Sequence, residues 1–165
     1  MADVLDVAKM IISHFKKIDT FKLQKLVYYS QAWHLVWDEG GDPLFKDSIE
    51  AWVAGPVVRS LYEKHRDKYS ITETEASWGN ADNLTPSERE TVQAVINGYG
   101  HLSGRQLSVL THSEPPWRKA REGVGPTDAS TNPISVTDMF EYYSSLNTDD
   151  EGTTTPASDI ESTDE

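Results

Sequence analysis

LQKLVYYSQAWHLVWDEGGDPLFKDSIEAWVAGPVV, residues 23–58, carries three of the chain's five tryptophans, and its reading decides the fold. Thr20 is placed to cap a helix that begins at Phe21, and Gly40-Gly41-Asp42-Pro43 ends it. Within that helix Leu23, Leu26, Val27, Ser30, Trp33 and Trp37 recur at helical spacing and are expected to face the core. Gln24, Tyr28 and Gln31 run beside that stripe and form the candidate surface. Adjacent residues diverge by about 100° on a helix, so one of Tyr28 and Tyr29 is expected to face a partner. Pro43-Leu44-Phe45 and Ile49–Val53 are too short and too alternating for helices, which predicts a two-stranded element or extended loop leaning on helices. Pro56 suits the first turn of a helix running through Lys64, with Gly55 in the restricted backbone space that precedes a proline.

Outward from this stretch the chain reads as helices. Val4, Leu5, Ala8, Ile11, Ile12 and Phe15 mark one face of a helix starting at Asp3, with Lys16 and Lys17 favouring its C-terminal end. Residues 69–83 read as a polar connection. Thr85-Pro86-Ser87-Glu88 is a capping box with proline at the first helical position, and Ser103 with Gln106 repeats the spacing. Pro115-Pro116 interrupts, a short turn spans 117–121, and 122–133 reads as loop. Ser135 with Asp138 opens the last helix, whose Val136, Met139, Phe140 and Tyr143 mark a buried face. The expected fold is mainly α: a compact single-domain bundle of six or seven helices over residues 1–146 with a short two-stranded element. Residues 147–165 turn to Thr, Ser, Asp, Glu and Pro, which bury too little apolar area to offset ordering entropy, and are expected to form a disordered acidic tail.

The bulk composition excludes several function classes. No apolar run approaches the ~20 residues of a membrane span, and MADVLDVAKM lacks the pattern of a secretory signal, so a cytoplasmic protein with no membrane partner is expected. The absence of cysteine removes disulfide frameworks, thiolate metal sites and cysteine nucleophiles. A formal charge of −12 opposes phosphate backbones, which speaks against nucleic acid as a direct ligand. Seven of the 27 acids lie in residues 147–165, which leaves 20 acids against 15 bases before it.

No catalytic constellation is legible. His14, His34, His65, His101 and His112 have no metal-ligand spacing, and the chain has no nucleophile elbow, phosphate loop or dinucleotide fingerprint. Neither a catalytic residue, a cofactor nor a metal is expected, which leaves binding. In an extended segment Glu50 and Trp52 share a face; they either meet a partner, or Trp52 packs on the long helix while Glu50 ends in solvent. Thr111-His112-Ser113, ahead of Pro115-Pro116-Trp117, reads either as a second recognition edge or as a helix-ending turn held by Trp117.

Several blocks in order, LQKLVYYSQAWHL (23–35), PLF (43–45), IEAWVAGPVV (49–58), SLYEKH (60–65), LTHSEPPWRKAREG (110–123) and ISVTDMFEYY (134–143), resemble the Panacea antitoxin domain of phages and bacterial mobile elements. The resemblance implies the antitoxin of a two-gene toxin–antitoxin system, neutralising a cognate protein toxin encoded by the neighbouring gene through direct binding. Two alternatives stay open: an adaptor delivering a toxin to a Clp-type protease, and a hydrolase-like enzyme reversing the toxin's modification. Relatives often carry an added DNA-binding segment, and no basic helix-turn-helix region occurs here. The toxin contact is expected at Gln24, Tyr28 and Gln31 together with Glu50 and Trp52, with the acidic tail speeding encounter with a basic toxin surface.

Overall fold

A computed structural model describes residues 1–148; the expected tail, apart from its first two residues, lies outside them. Helix α1 (Val4–Phe15) begins where Asp3 Oδ1 accepts the Leu5 N–H at 2.8 Å, so the predicted start holds. Lys16 closes it in a left-handed conformation, φ 66°, and strand β1 (Lys17–Asp19) follows. Helix α2 (Thr20–Trp37) is capped one residue earlier than the sequence suggested: Asp19 Oδ1 accepts from the Lys22 N–H at 2.7 Å. The Thr20 hydroxyl is drawn off to the Lys68 carbonyl at 3.1 Å.

The segment around Gly-Pro departs from expectation. Strands β2 (Ile49–Trp52) and β3 (Gly55–Val58) form an antiparallel hairpin in the register Ile49↔Val58 to Trp52↔Gly55, so Pro56 lies in a strand, and helix α3 (Arg59–His65) starts three residues later. Proline is tolerated there because its partner Ala51 turns its own N–H away, to the Asn132 carbonyl at 2.8 Å, so no ladder bond is lost. Gly55 takes φ 125°, a conformation that favours glycine and closes the turn. Pro43–Phe45 is no strand; Leu44 and Phe45 are buried as irregular chain, bent at Leu44, against α2.

The predicted polar connection also holds structure: strand β4 (Ser70–Thr72) pairs antiparallel with β1, burying Ile18 against Ile71, and a 3-10 turn spans Ala81–Asn83. Helices α4 (Pro86–Tyr99) and α5 (Gly104–Ser113) both carry complete capping boxes as read from sequence. The turn placed at 117–121 is helix α6 (Pro115–Ala120), with prolines in the N-terminal turn where a missing N–H costs nothing. Helix α7 (Val136–Thr148) runs two residues past the boundary at 146. Among the described residues the fold is thus seven α-helices with two small two-stranded sheets, mainly α as expected.

α2 is the axis of this arrangement, packed by α1, α4, α5, α7 and β3. Every residue of α2 from Leu23 to Leu35 is buried, which overturns the placement of Gln24, Tyr28 and Gln31 outside the core. Tyr28 and Tyr29 both point inward, the first hydrogen-bonded to Tyr143 and the second to Glu114. Trp33 donates to the Tyr99 hydroxyl at 2.9 Å, and Tyr99 stacks on Tyr29 at 4.0 Å. Trp37, expected in the core, lies at the open end of α2 and is 40% exposed.

Candidate partner-binding site

The two buried glutamines explain how an irregular chain can be laid on a helix. Backbone groups buried away from water need partners. Gln31 Oε1 accepts the Leu44 N–H at 2.7 Å and its amide donates to the Phe45 carbonyl at 2.7 Å. Gln24 does the same for β3: Oε1 accepts the Val58 N–H at 2.9 Å, and Nε2 faces the Val58 carbonyl and His65 Nε2, at 3.3 and 2.9 Å. With the Gln24 amide donating, His65 Nε2 accepts, so its proton sits on Nδ1 and the ring is neutral. Burial, with a smaller contribution from Lys25, holds the His65 pKa below its ordinary value.

The hairpin carried by these bonds presents Glu50 and Trp52. Glu50 Oε1 accepts from Trp52 Nε1 at 2.7 Å and from Arg59 Nη2 at 2.9 Å, and Oε2 accepts from Arg59 Nε at 3.2 Å. Partial burial pushes the Glu50 carboxyl up, but the bonds from Arg59 and Trp52 outweigh it and hold its pKa below the usual range. Trp52 meets Tyr62 edge to face at 4.9 Å, with the Arg59 guanidinium 5.4 Å from its ring. Trp52 therefore packs on Tyr62 of α3, and Glu50 does not simply end in solvent. Both are half-buried and remain reachable.

Behind the hairpin, α6 is a brace. Trp117 Nε1 donates to the Trp52 carbonyl at 2.9 Å while its ring stacks on His112 at 4.0 Å. Arg121 is buried and spends its guanidinium on the carbonyls of Ala51, Gly125 and Asp128. Of the two readings of 111–117, the helix-ending turn held by Trp117 is the one the geometry supports: Thr111 is buried, and Trp117 points at the hairpin's backbone.

Between the N-terminal turn of α2 and the hairpin runs a cleft of about 170 Å³ lined by Phe21, Gln24, Lys25, Trp52, Tyr62 and His65, with Arg66, Lys68 and Tyr69 toward the outside. Phe21 and Tyr69 are 50% and 78% exposed. Lys25 is fully buried, and its ammonium has no hydrogen-bond partner among the described residues. Burial lowers its pKa to about 8 against the opposing pull of Asp19. Sequence reasoning missed Lys25; a lysine one residue from each of the helix's buried positions Gln24 and Leu26 was its only trace. Among the described residues no group of three or more His, Asp or Glu is placed to hold a metal, and no helix is long and apolar enough to cross a membrane.

Residues 23–118 match the family described as antitoxin SocA-like, Panacea domain, a span that takes in α2 from Leu23 onward, the hairpin, most of α6 and the cleft apart from Thr20 and Phe21. The chain belongs to this family. The Panacea span ends before α7, so the similarity seen at 134–143 lies beyond it, although α7 packs on α2. No curated protein and no solved structure matches the chain. An antitoxin role follows from the family, and with it a protein as the partner to seek.

Proposed function

We propose that this chain neutralises a cognate protein toxin, encoded by a neighbouring gene, by binding it directly in the cytoplasm and acting as a cover with no chemistry of its own. The observation that carries the reading is the Panacea match over 23–118, which centres on a region built to hold aromatic side chains at a reachable surface. The contact runs along Glu50, Trp52 and the exposed hairpin tip at Val53, and onward to Phe21 and Tyr69. Gln24, Tyr28 and Gln31 serve it from beneath: Gln24 fixes β3, Gln31 fixes 44–45, and Tyr28 belongs to the core. Buried aromatic anchors dominate protein interfaces, and Trp52 is oriented by three neighbours before any partner arrives.

The test is toxin rescue in cells together with co-purification. Trp52→Ala and Glu50→Arg are expected to lower toxin affinity by about tenfold or more and to abolish rescue, with the circular dichroism spectrum retained. Toxin half-life, followed in the same cells, should be unchanged by the antitoxin. Undiminished rescue by both folded variants overturns the contact surface, and a shortened toxin lifetime overturns neutralisation by covering alone.

A further inference from the structure

Lys25 is the feature that the fold does not account for. An ammonium buried without a hydrogen-bond partner costs several kcal/mol, and an apolar side chain would fill the space at no such cost. Other buried polar groups nearby are satisfied, Gln24 by Val58 and His65, Glu114 by two tyrosines and Arg121 by three carbonyls, whereas His112 Nε2, which faces Lys25, is the other buried side-chain atom among the described residues without a hydrogen-bond partner. Asp19 acts on Lys25 through space, but its carboxylate is engaged in capping α2. Room for the ammonium is kept by Gly55, where a Cβ would lie 2.6 Å from Lys25 Cε and 3.1 Å from Nζ. Outside it stand Phe21, whose ring centroid is 5.4 Å from Nζ, then Trp52, Tyr62 and Tyr69, with Arg66 and Lys68 beyond.

We propose that this cleft, once the half-exposed Phe21 ring over the buried Lys25 Nζ moves aside, receives a carboxylate from the protein partner, an Asp or Glu side chain in an apolar-flanked segment, which pairs with Lys25 while its flanks cover the aromatic rim. This rests on the antitoxin reading and names the chemistry its partner must present. A chain of net charge −12 repels acidic segments elsewhere, so a cationic floor inside an aromatic mouth is selective for that combination. The chain's own residues 149–165 are acidic but offer one large apolar residue, Ile160, against four aromatic rim residues.

The full chain, labelled with 13C at lysine Cε, is titrated with the capped peptide Gly-Leu-Glu-Leu-Gly and with its glutamine twin. The glutamate peptide is expected to shift the Lys25 signal saturably, to move its titration midpoint upward from about 8, and to bind at least tenfold more tightly than the twin. Lys25→Met should erase that preference and weaken toxin capture at least tenfold. Equal binding of the two peptides, or a Lys25 signal indifferent to both, overturns the proposal without any variant needing to fold. So does a Lys25 signal that moves, with no peptide added, when the seven acids of 149–165 are neutralised, because the pocket then serves the chain itself. Toxin capture unaffected by Lys25→Met sinks the carboxylate pocket and spares the antitoxin reading. Peptide preference with no toxin complex has the reverse meaning: it removes the antitoxin reading, and with it the partner assigned here.

Discussion

Glu114, packed against α2, and Lys25, on α2 itself, are both buried ionisable groups, and the structure treats them in opposite ways. Glu114 accepts hydrogen bonds from Tyr29 at 2.8 Å and Tyr143 at 2.7 Å, and Tyr143 is bonded in turn to Tyr28. Lys25, one helical turn before Tyr29, has no hydrogen-bond partner. Burial drives both toward neutrality, Glu114 up to about 7 and Lys25 down to about 8. A buried polar group that belongs to the fold is surrounded by what it needs, whereas one left unpaired is paid for by the rest of the core. The first pins α2, α7 and the α5–α6 junction together; the second is free to answer to a partner.

Breaking the satisfied side should do the most damage. Glu114→Ala leaves two buried hydroxyls without their acceptor and opens a cavity, and is expected to destabilise the fold by about 3 to 5 kcal/mol in urea denaturation. Lys25→Met should act in the other direction, raising stability by about 1 to 3 kcal/mol at pH 7 while it weakens binding. A loss of stability there would mean that Lys25 holds the fold and would erase the contrast.

The pH profile sharpens the same contrast. Glu114 is faced by Tyr28, Tyr29, Tyr99, Tyr142 and Tyr143, and its folded pKa lies above its ordinary value of 4.5. Its contribution is therefore fully present below about 4.5 and is lost as pH rises through about 7. Lys25 is faced by Asp19, His65 and His112, and its folded pKa lies below 10.5, so its contribution is present above 10.5 and lost as pH falls through about 8. At about 1.4 kcal/mol per pH unit, each amounts to about 3.5 kcal/mol at most. Subtracting the denaturation profile of Glu114→Gln from that of the wild type should isolate a fall between about pH 4.5 and 7. The Lys25→Met difference should isolate a rise between about 8 and 10.5. Flat differences would mean that neither group feels its burial.

The parts of the fold that local chemistry dictates were legible in the sequence. The α4 and α5 capping boxes, the α1 start at Asp3 and the α7 start at Ser135 each depend on residues two or three apart. Pro56 misled because proline fits both a helix start and a strand position that makes no ladder bond, and only the long-range bond from Ala51 to Asn132 separates the two. β4 was missed because three residues pairing with β1, fifty positions away, leave no periodicity to read. The candidate site was half legible. Alternation put Glu50 and Trp52 on one face, and there they are; Gln24, Tyr28 and Gln31 looked like surface because polarity normally marks it, yet here the glutamines are the hydrogen-bond partners of buried non-helical chain.

The smallest expected effect belongs to the exposed counterpart of Lys25, the ion pair between Arg59 and Glu50. Its guanidinium is open to water, so removing it should leave the denaturation midpoint where it was. What Arg59 holds is direction: it fixes the carboxylate that anchors the Trp52 indole, and it lies against the same ring. Arg59→Ala should therefore speed solvent exchange of the Trp52 indole proton and cost a few-fold in toxin affinity through lost preorganisation. Both are measurable on one sample, by NMR and by titration with the toxin. A large drop in stability with indole exchange unchanged would reverse the assignment, making this surface pair structural and Trp52 indifferent to it. The ordering in which a buried charge serves the partner and an exposed pair serves only aim would then fail at its second half.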